Sequence, residues 1–128
     1  MVTEERKTSL SELLDLGTLG VLYNVDESVR PLVTGSTLRA ARLVVDEIRK
    51  EINKGLPVVD LSVQRLDDYD AGLWSEVMFL VKVHLDSKKA NEWWDKLIGQ
   101  KIELTESQED ELVKTALSER ISIQFRWY

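Results

Sequence analysis

The chain has 128 residues and a net charge of -6 at pH 7, with 43% hydrophobic and 31% charged residues. This length and composition predict one globular domain over residues 1–128, with a single hydrophobic core and a well-solvated surface. The acidic balance argues against a nucleic-acid-binding surface, which would carry an excess of lysine and arginine.

The chain contains no cysteine, and this excludes disulfides, thiolate metal sites and cysteine nucleophiles. No segment is long and apolar enough to cross a bilayer. The polar, mixed-charge stretch at residues 1–7 does not resemble a signal peptide. The sequence therefore predicts a soluble, cytoplasmic protein that does not enter a membrane.

The first 25 residues predict a short helix and then an extended stretch. Ser9 and Glu12 have the spacing of a capping box, so we expect a helix over Thr8–Leu16 within an N-terminal helical extension at residues 1–17. Thr18–Val25 is mostly apolar and has little helical character, so it is either a strand or an irregular segment.

The clearest helix, Ser36–Lys54, follows a loop over Asp26–Gly35. Ser36 suits the N-cap position, and Gly55 and Pro57 mark the other end of the helix. Its apolar residues recur at steps of three and four and form one stripe, which consists of Leu38, Ala41, Val45, Ile48 and Ile52.

A long hairpin comes next. Val58–Leu66 alternates between apolar and polar residues, which is typical of an antiparallel strand with one solvated face. The acidic stretch Asp67–Gly72 connects it to a longer strand, Trp74–Leu85, which we expect near the centre of the sheet. The core-facing residues of this second strand are Val77, Phe79, Val81, Val83 and Leu85.

Two helices and a strand complete the chain. The first helix is predicted from about residue 87 to Ile98, where Gly99 ends it. The second covers Thr105–Glu119, whose first residues match a capping box. Ile121–Trp127 alternates between apolar and polar residues and is predicted to be a strand.

These elements predict the α+β class, with an antiparallel sheet of three or four strands and helices packed on one face. If Thr18–Val25 is a strand, the core is βαββαβ, the ferredoxin-like arrangement. If it is not, the core is a three-stranded antiparallel sheet with helices on one face.

We find no catalytic constellation in the sequence. The single histidine, His84, lies on the less apolar face of a predicted strand beside Lys82, which provides neither an orienting group nor a nucleophile. The acidic stretch Asp67–Gly72 could gather oxygen ligands, but it lacks the spacing of a calcium loop and suits a turn. We therefore predict no catalytic residue, no metal and no cofactor, and we favour a protein that is not an enzyme.

Ser36, Thr37 and Arg39 form a candidate site for an anion. They open the clearest helix, where free backbone amides and the helix dipole favour a phosphate or carboxylate. The second glycine and the lysine of a P-loop are missing, and an ordinary serine cap explains the same residues.

Aromatic residues form a candidate interface. Trp93 and Trp94 point about 100° apart on a helix, so they cannot both face one core. Either both cover the open edge of the sheet, or one is an exposed interface anchor. Phe125, Trp127 and Tyr128 place an aromatic end on a strand that is either tucked into the core or open to another sheet.

The leading hypothesis is therefore a non-catalytic protein-interaction module. It would act as a homodimer or other homo-oligomer, or as an acidic partner of another protein, of the antitoxin or regulator type. The alternative is a small-ligand-binding protein or enzyme with a pocket between sheet and helices. Trp74, Trp93 and Trp94 would line that pocket, and Arg39 or Arg42 would bind an anion.

Overall fold

A computed structural model describes residues 9–68 and 74–127 of the chain. Within these residues it has four α-helices, α1 to α4, and four strands, β1 to β4. In chain order they are α1 (Leu10–Leu13), β1 (Leu22–Val25), α2 (Gly35–Asn53), β2 (Val58–Asp68), β3 (Trp74–Val83), α3 (Ser87–Ser107), α4 (Glu111–Glu119) and β4 (Ile121–Trp127). Most of the acidic hairpin loop, and Tyr128, lie outside the described residues.

The four strands form one sheet in the order β1-β2-β3-β4. The hairpin strands β2 and β3 are central and antiparallel, whereas β1 runs parallel to β2 and β4 runs parallel to β3. The α+β class is confirmed. The expected wholly antiparallel sheet is wrong for both outer strands, and the ferredoxin-like order is not observed.

The connections explain the mixed sheet. Each outer strand is joined to its neighbour through one or two helices, and such a crossover returns the chain in the same direction. Leu22–Val25 spans only four residues, three of them exposed, so this strand suits an edge and not the sheet centre. The predicted strand at Thr18–Val25 is thus confirmed over its second half, after a 3-10 turn at Leu16–Leu19.

The core lies between one face of the sheet and the helices. Alternate residues of β2, β3 and β4 are buried on this face, and they are Leu61, Val63, Val77, Phe79, Val81, Val83, Ile121, Ile123 and Phe125. Helix α2 contributes Ala40, Ala41, Val44, Val45 and Ile48. The other face carries the intervening residues of the strands and is called the open face below.

The N-terminal helix is shorter than predicted but has the predicted cap. The Ser9 side chain accepts a hydrogen bond from the Glu12 backbone N–H at 3.3 Å. Leu10, Leu14 and Leu16 are buried in the common core, so this segment packs as part of the domain body. None of the helices within the described residues combines the length and the apolar character needed to span a membrane.

Three further predicted helix boundaries are wrong. Helix α2 starts one residue earlier than expected, with Thr34 and not Ser36 as its N-cap. Helix α3 continues through Gly99 to Ser107, and α4 begins only after Asp110, whose side chain accepts a hydrogen bond from the Leu112 N–H.

Packing explains why Gly99 does not end α3. A glycine inside a helix costs about 1 kcal/mol relative to alanine. Leu97 before it is fully buried and Leu104 after it packs against the core, so both sides of the glycine are held in place. The predicted cap at Thr105 instead lies inside the helix, where its hydroxyl donates to the Lys101 carbonyl at 2.7 Å.

Candidate functional site

Strand β4 forms one edge of the sheet. The Val77 N–H donates to the Arg120 carbonyl at 2.8 Å, and this bond sets the phase of the parallel β3–β4 ladder. In such a ladder the backbone groups of alternate residues point away from the neighbouring strand. The backbone N–H and C=O groups of Ile123, Phe125 and Trp127 therefore point away from β3 at the sheet edge, where another strand could pair with them.

Helix α3 covers the middle of this edge. The indole Nε1 of Trp94 donates to the Ile123 carbonyl at 3.0 Å, and the Trp94 ring is partly buried against the core. One outward-pointing carbonyl is thereby satisfied by a side chain and not by a strand. Trp94 thus fits the interpretation in which the tryptophans cover the open edge of the sheet.

The adjacent tryptophan has a different environment. Trp93 is also partly buried, and the ammonium of Lys96 lies 5.0 Å from the centre of its ring. This distance is within the range of a cation–π contact. The step of about 100° between neighbouring helix positions thus separates the two rings, as the sequence requires.

A groove of about 200 Å³ opens beyond Trp94, at the end of β4. Its lining residues are Asn91, Trp94, Gln124, Phe125 and Trp127. Phe125 is 8% exposed and belongs to the core, whereas Trp127 is 43% exposed. We call this feature the aromatic groove.

The aromatic groove brings together three of the predicted interface residues: Trp94, Phe125 and Trp127. Trp93 does not line it, and Tyr128 lies outside the described residues. Its lining combines aromatic surface with the side-chain amides of Asn91 and Gln124. Amides and rings can bind an extended chain through hydrogen bonds and apolar contact, but they do not transfer protons near neutral pH.

The predicted anion-binding residues open α2. Ser36 and Thr37 are partly buried, and the Thr37 N–H donates to the Thr34 carbonyl at 3.1 Å. The Arg39 guanidinium donates to the Asp110 carboxylate at 2.7 Å and so links α2 to the N-cap of α4. An anion bound here would compete with this carboxylate for Arg39.

The space predicted for a ligand pocket between sheet and helices is occupied by the buried core side chains described above. Arg42 donates from Nε to the Leu13 carbonyl at 2.7 Å and so fastens the N-terminal segment to α2. The side chain of Trp74 lies outside the described residues.

His84 follows β3 directly and is exposed, and its backbone N–H donates to the Pro57 carbonyl at 3.0 Å. Within residues 9–68 and 74–127, no three histidine, aspartate or glutamate side chains gather in a way that could hold a metal ion. No protein-family model, curated protein or solved structure matches the chain.

A buried glutamate on α2 is the feature that the sequence analysis missed. Glu51 is fully buried and faces α3. Its Oε1 accepts hydrogen bonds from Gln100 Nε2 at 3.0 Å and Lys54 Nζ at 3.3 Å, and its Oε2 lies 3.1 Å from Lys96 Nζ. A signal was present, because Glu51 follows the apolar residues Val44 and Ile48 at helical spacing.

The surroundings of Glu51 keep it ionised. Burial by itself would raise the pKa of this carboxyl, but the contacts with Gln100, Lys96 and Lys54 outweigh burial, so the pKa lies below its ordinary value of 4.5. Lys96 also lies over the Trp93 ring. These contacts of Glu51 therefore fasten α2 to the part of α3 that follows the edge-covering Trp94.

Proposed function

We propose that the chain is a non-catalytic protein-interaction module, which acts as a homo-oligomer or as an acidic partner of another protein. The aromatic groove is the observation that carries this proposal. It places the half-exposed Trp127 beside outward-pointing backbone groups at a sheet edge. Tryptophan is among the residues most often found as interface anchors, and an open edge offers backbone hydrogen bonds to an extended segment.

The groove also suggests the form of the partner segment. Trp94 already occupies the Ile123 carbonyl, so strand pairing is left to the short end of β4 around Phe125 and Trp127. An extended segment of a few residues, with one apolar side chain set against Trp127, fits this geometry. The net charge of -6 favours a basic partner, as in an antitoxin or a small regulator.

Site-specific photo-cross-linking in the native host tests this proposal. A photo-reactive phenylalanine analogue replaces Trp127 in one variant and Leu112 in the control. Leu112 lies on α4 and is 70% exposed, so it is apolar like Trp127 and more accessible than that residue. We expect one discrete adduct from position 127 that does not form from position 112. No adduct at position 127, or the same adducts from both positions, would contradict the role of the groove.

Small-ligand binding is the second candidate function, and one observation favours it. A cleft of about 450 Å³ separates α2 from α3 near Glu51, with both acidic and basic residues in its lining. The Oε1 atom of Gln100 is buried there without a hydrogen-bond partner. We expect a small zwitterion to fit best. A thermal-shift screen of amino acids would favour this candidate if a stabilising compound lost its effect in Gln100→Leu.

A further inference from the structure

The open face of β3 has an unusual order of side chains. Glu76, Met78, Leu80 and Lys82 follow one another at two-residue steps, so they line up along one face of the strand. The row therefore runs from an acid through two apolar residues to a base. The acid and both apolar side chains are partly buried, and Lys82 is exposed.

The neighbouring strands leave the middle of this face uncharged. Gln64 and Ser122 flank Met78, and Ser62 and Gln124 flank Leu80. The charged side chains stand at the two ends. Asp60 and Arg126 flank Lys82 at one end, and Glu76 stands at the other, where it interacts electrostatically with Lys101 of α3.

This row is complementary to itself under two-fold symmetry. A second copy can be stacked face to face on the first through a two-fold axis that lies midway between the two sheets and perpendicular to the strands. The two β3 strands then run antiparallel. Glu76 then meets Lys82 of the second copy, and Met78 meets Leu80. Two-fold symmetry repeats each of these contacts, because an isologous interface uses the same patch on both subunits.

We infer that the chain forms a homodimer by packing the open faces of two sheets against each other, with β3 of one copy lying over β3 of the other. This inference rests on the proposed function, because it names a second copy of the chain as one of its partners. It uses a different surface from the aromatic groove, and the two surfaces meet at Gln124, which belongs to both. The helices lie on the opposite face of the sheet, so the fold leaves this face available.

The charges also select the direction of packing. A two-fold axis parallel to the strands would set Glu76 against Glu76 of the other copy and Lys82 against Lys82. Only the antiparallel arrangement pairs opposite charges along β3. It does bring Arg126 over Arg120 of the second copy, but both side chains are exposed and lie at the rim, where water screens them.

The size of the face sets the expected affinity. The width of four strands is roughly 20 Å at ordinary strand spacing, and the seven residues of β4 give a length of roughly 23 Å. This area is smaller than the ~800 Å² that each partner buries in a standard interface. We therefore expect a dissociation constant on the order of 1–100 μM.

Charge reversal with rescue in the full chain tests the inference. Glu76→Lys and Lys82→Glu each place like charges at both contacts of the dimer, whereas the double variant Glu76→Lys/Lys82→Glu restores opposite charges. The matched controls are Glu106→Lys and Lys88→Glu, exposed positions in the last and first turns of α3 that undergo the same change of net charge. Sedimentation equilibrium from 5 to 500 μM measures the dissociation constants, and circular dichroism confirms folding.

We expect each single reversal to weaken the dimer roughly tenfold, and the double variant to return within about threefold of the natural chain. The two controls should stay near the natural value. Weakening in all three variants, or in none, would overturn the inference. A dimer that ignores these charges would leave the proposed function standing, whereas the absence of both a dimer and a cross-linked partner would remove both.

Discussion

Replacing Glu51 by glutamine tests whether the buried carboxylate holds α2 and α3 together. The substitution keeps the size and shape of the side chain but removes its charge. Gln100 can still find an acceptor on the new amide. Lys54 and Lys96 lose the anion that each of them contacts.

The expected loss of stability follows from the exposure of the two lysines. A hydrogen bond to a charged group contributes about 1.5–3 kcal/mol when both partners are shielded from water. Lys54 and Lys96 are 54% and 46% exposed, so water takes over part of each contact once the charge is removed. We therefore expect Glu51→Gln to lower the free energy of unfolding by about 2 kcal/mol at pH 7.

Glu47→Gln is the matched control, one turn earlier on the same helix. Glu47 pairs with Lys50 at 3.1 Å, but Lys50 is 63% exposed, so this variant should lose less than about 0.5 kcal/mol. Urea denaturation followed by circular dichroism measures both variants. Equal costs for the two substitutions would refute the structural role of Glu51.

The natural chain and Glu51→Gln can also be compared as a function of pH. The folded-state pKa of Glu51 lies below its ordinary value of 4.5, so its ionised form stabilises the fold above that pH. The stabilisation is lost as the pH falls through the lowered pKa, where the carboxyl becomes neutral like glutamine. The difference between the natural chain and Glu51→Gln should therefore be constant above about pH 5 and shrink below pH 4.5. A difference that persists in full at pH 3 would contradict this account.

Three further substitutions test individual elements by urea denaturation. Gly99→Ala should stabilise the chain by about 0.5–1 kcal/mol, because Gly99 lies inside α3 with open space where a Cβ would stand; destabilisation would contradict the continuous helix. Trp94→Phe should cost about 1 kcal/mol, because the Ile123 carbonyl loses its donor at the sheet edge; no loss would mean that water replaces the indole at once. Asp110→Ala should also cost about 1 kcal/mol, since it removes both the cap of α4 and the partner of Arg39; a neutral result would show that neither contact stabilises the fold.

Local patterns predicted the strands and most of the helices. The hairpin and Ile121–Trp127 follow from two-residue alternation, which depends only on neighbouring residues. The strand order does not follow from such patterns, since it depends on where two helical crossovers return the chain. The ferredoxin-like expectation failed at this step, because each outer strand pairs directly with the strand next to it in sequence.

The helix boundaries show a similar limit. Gly99 carries an ordinary stop signal for a helix and Thr105 an ordinary start signal, yet α3 continues through both residues. Packing of Leu97 and Leu104 offsets these weak local preferences, and packing cannot be seen in a window of a few residues. Asp110, the actual N-cap of α4, lies five residues beyond the predicted one.

The candidate site could be predicted in its parts but not in its assembly. The sequence analysis offered two alternatives for the tryptophan pair, edge cover or exposed anchor. Trp94 covers the edge, whereas the half-exposed aromatic residue is Trp127 at the other end of the groove. Glu51 was missed because a charged residue next to an apolar stripe is expected at its solvated margin. Only its partners on α3 explain why it is buried.

The central claim is that this chain works by associating with protein, and the native mass of the material purified gently from its own host tests it most directly. One protomer has a mass of 14.7 kDa. We expect species of twice this mass, or a stoichiometric complex with a second protein, at concentrations within the range of the sedimentation experiment. A single species of 14.7 kDa throughout that range, with nothing bound, would contradict the account.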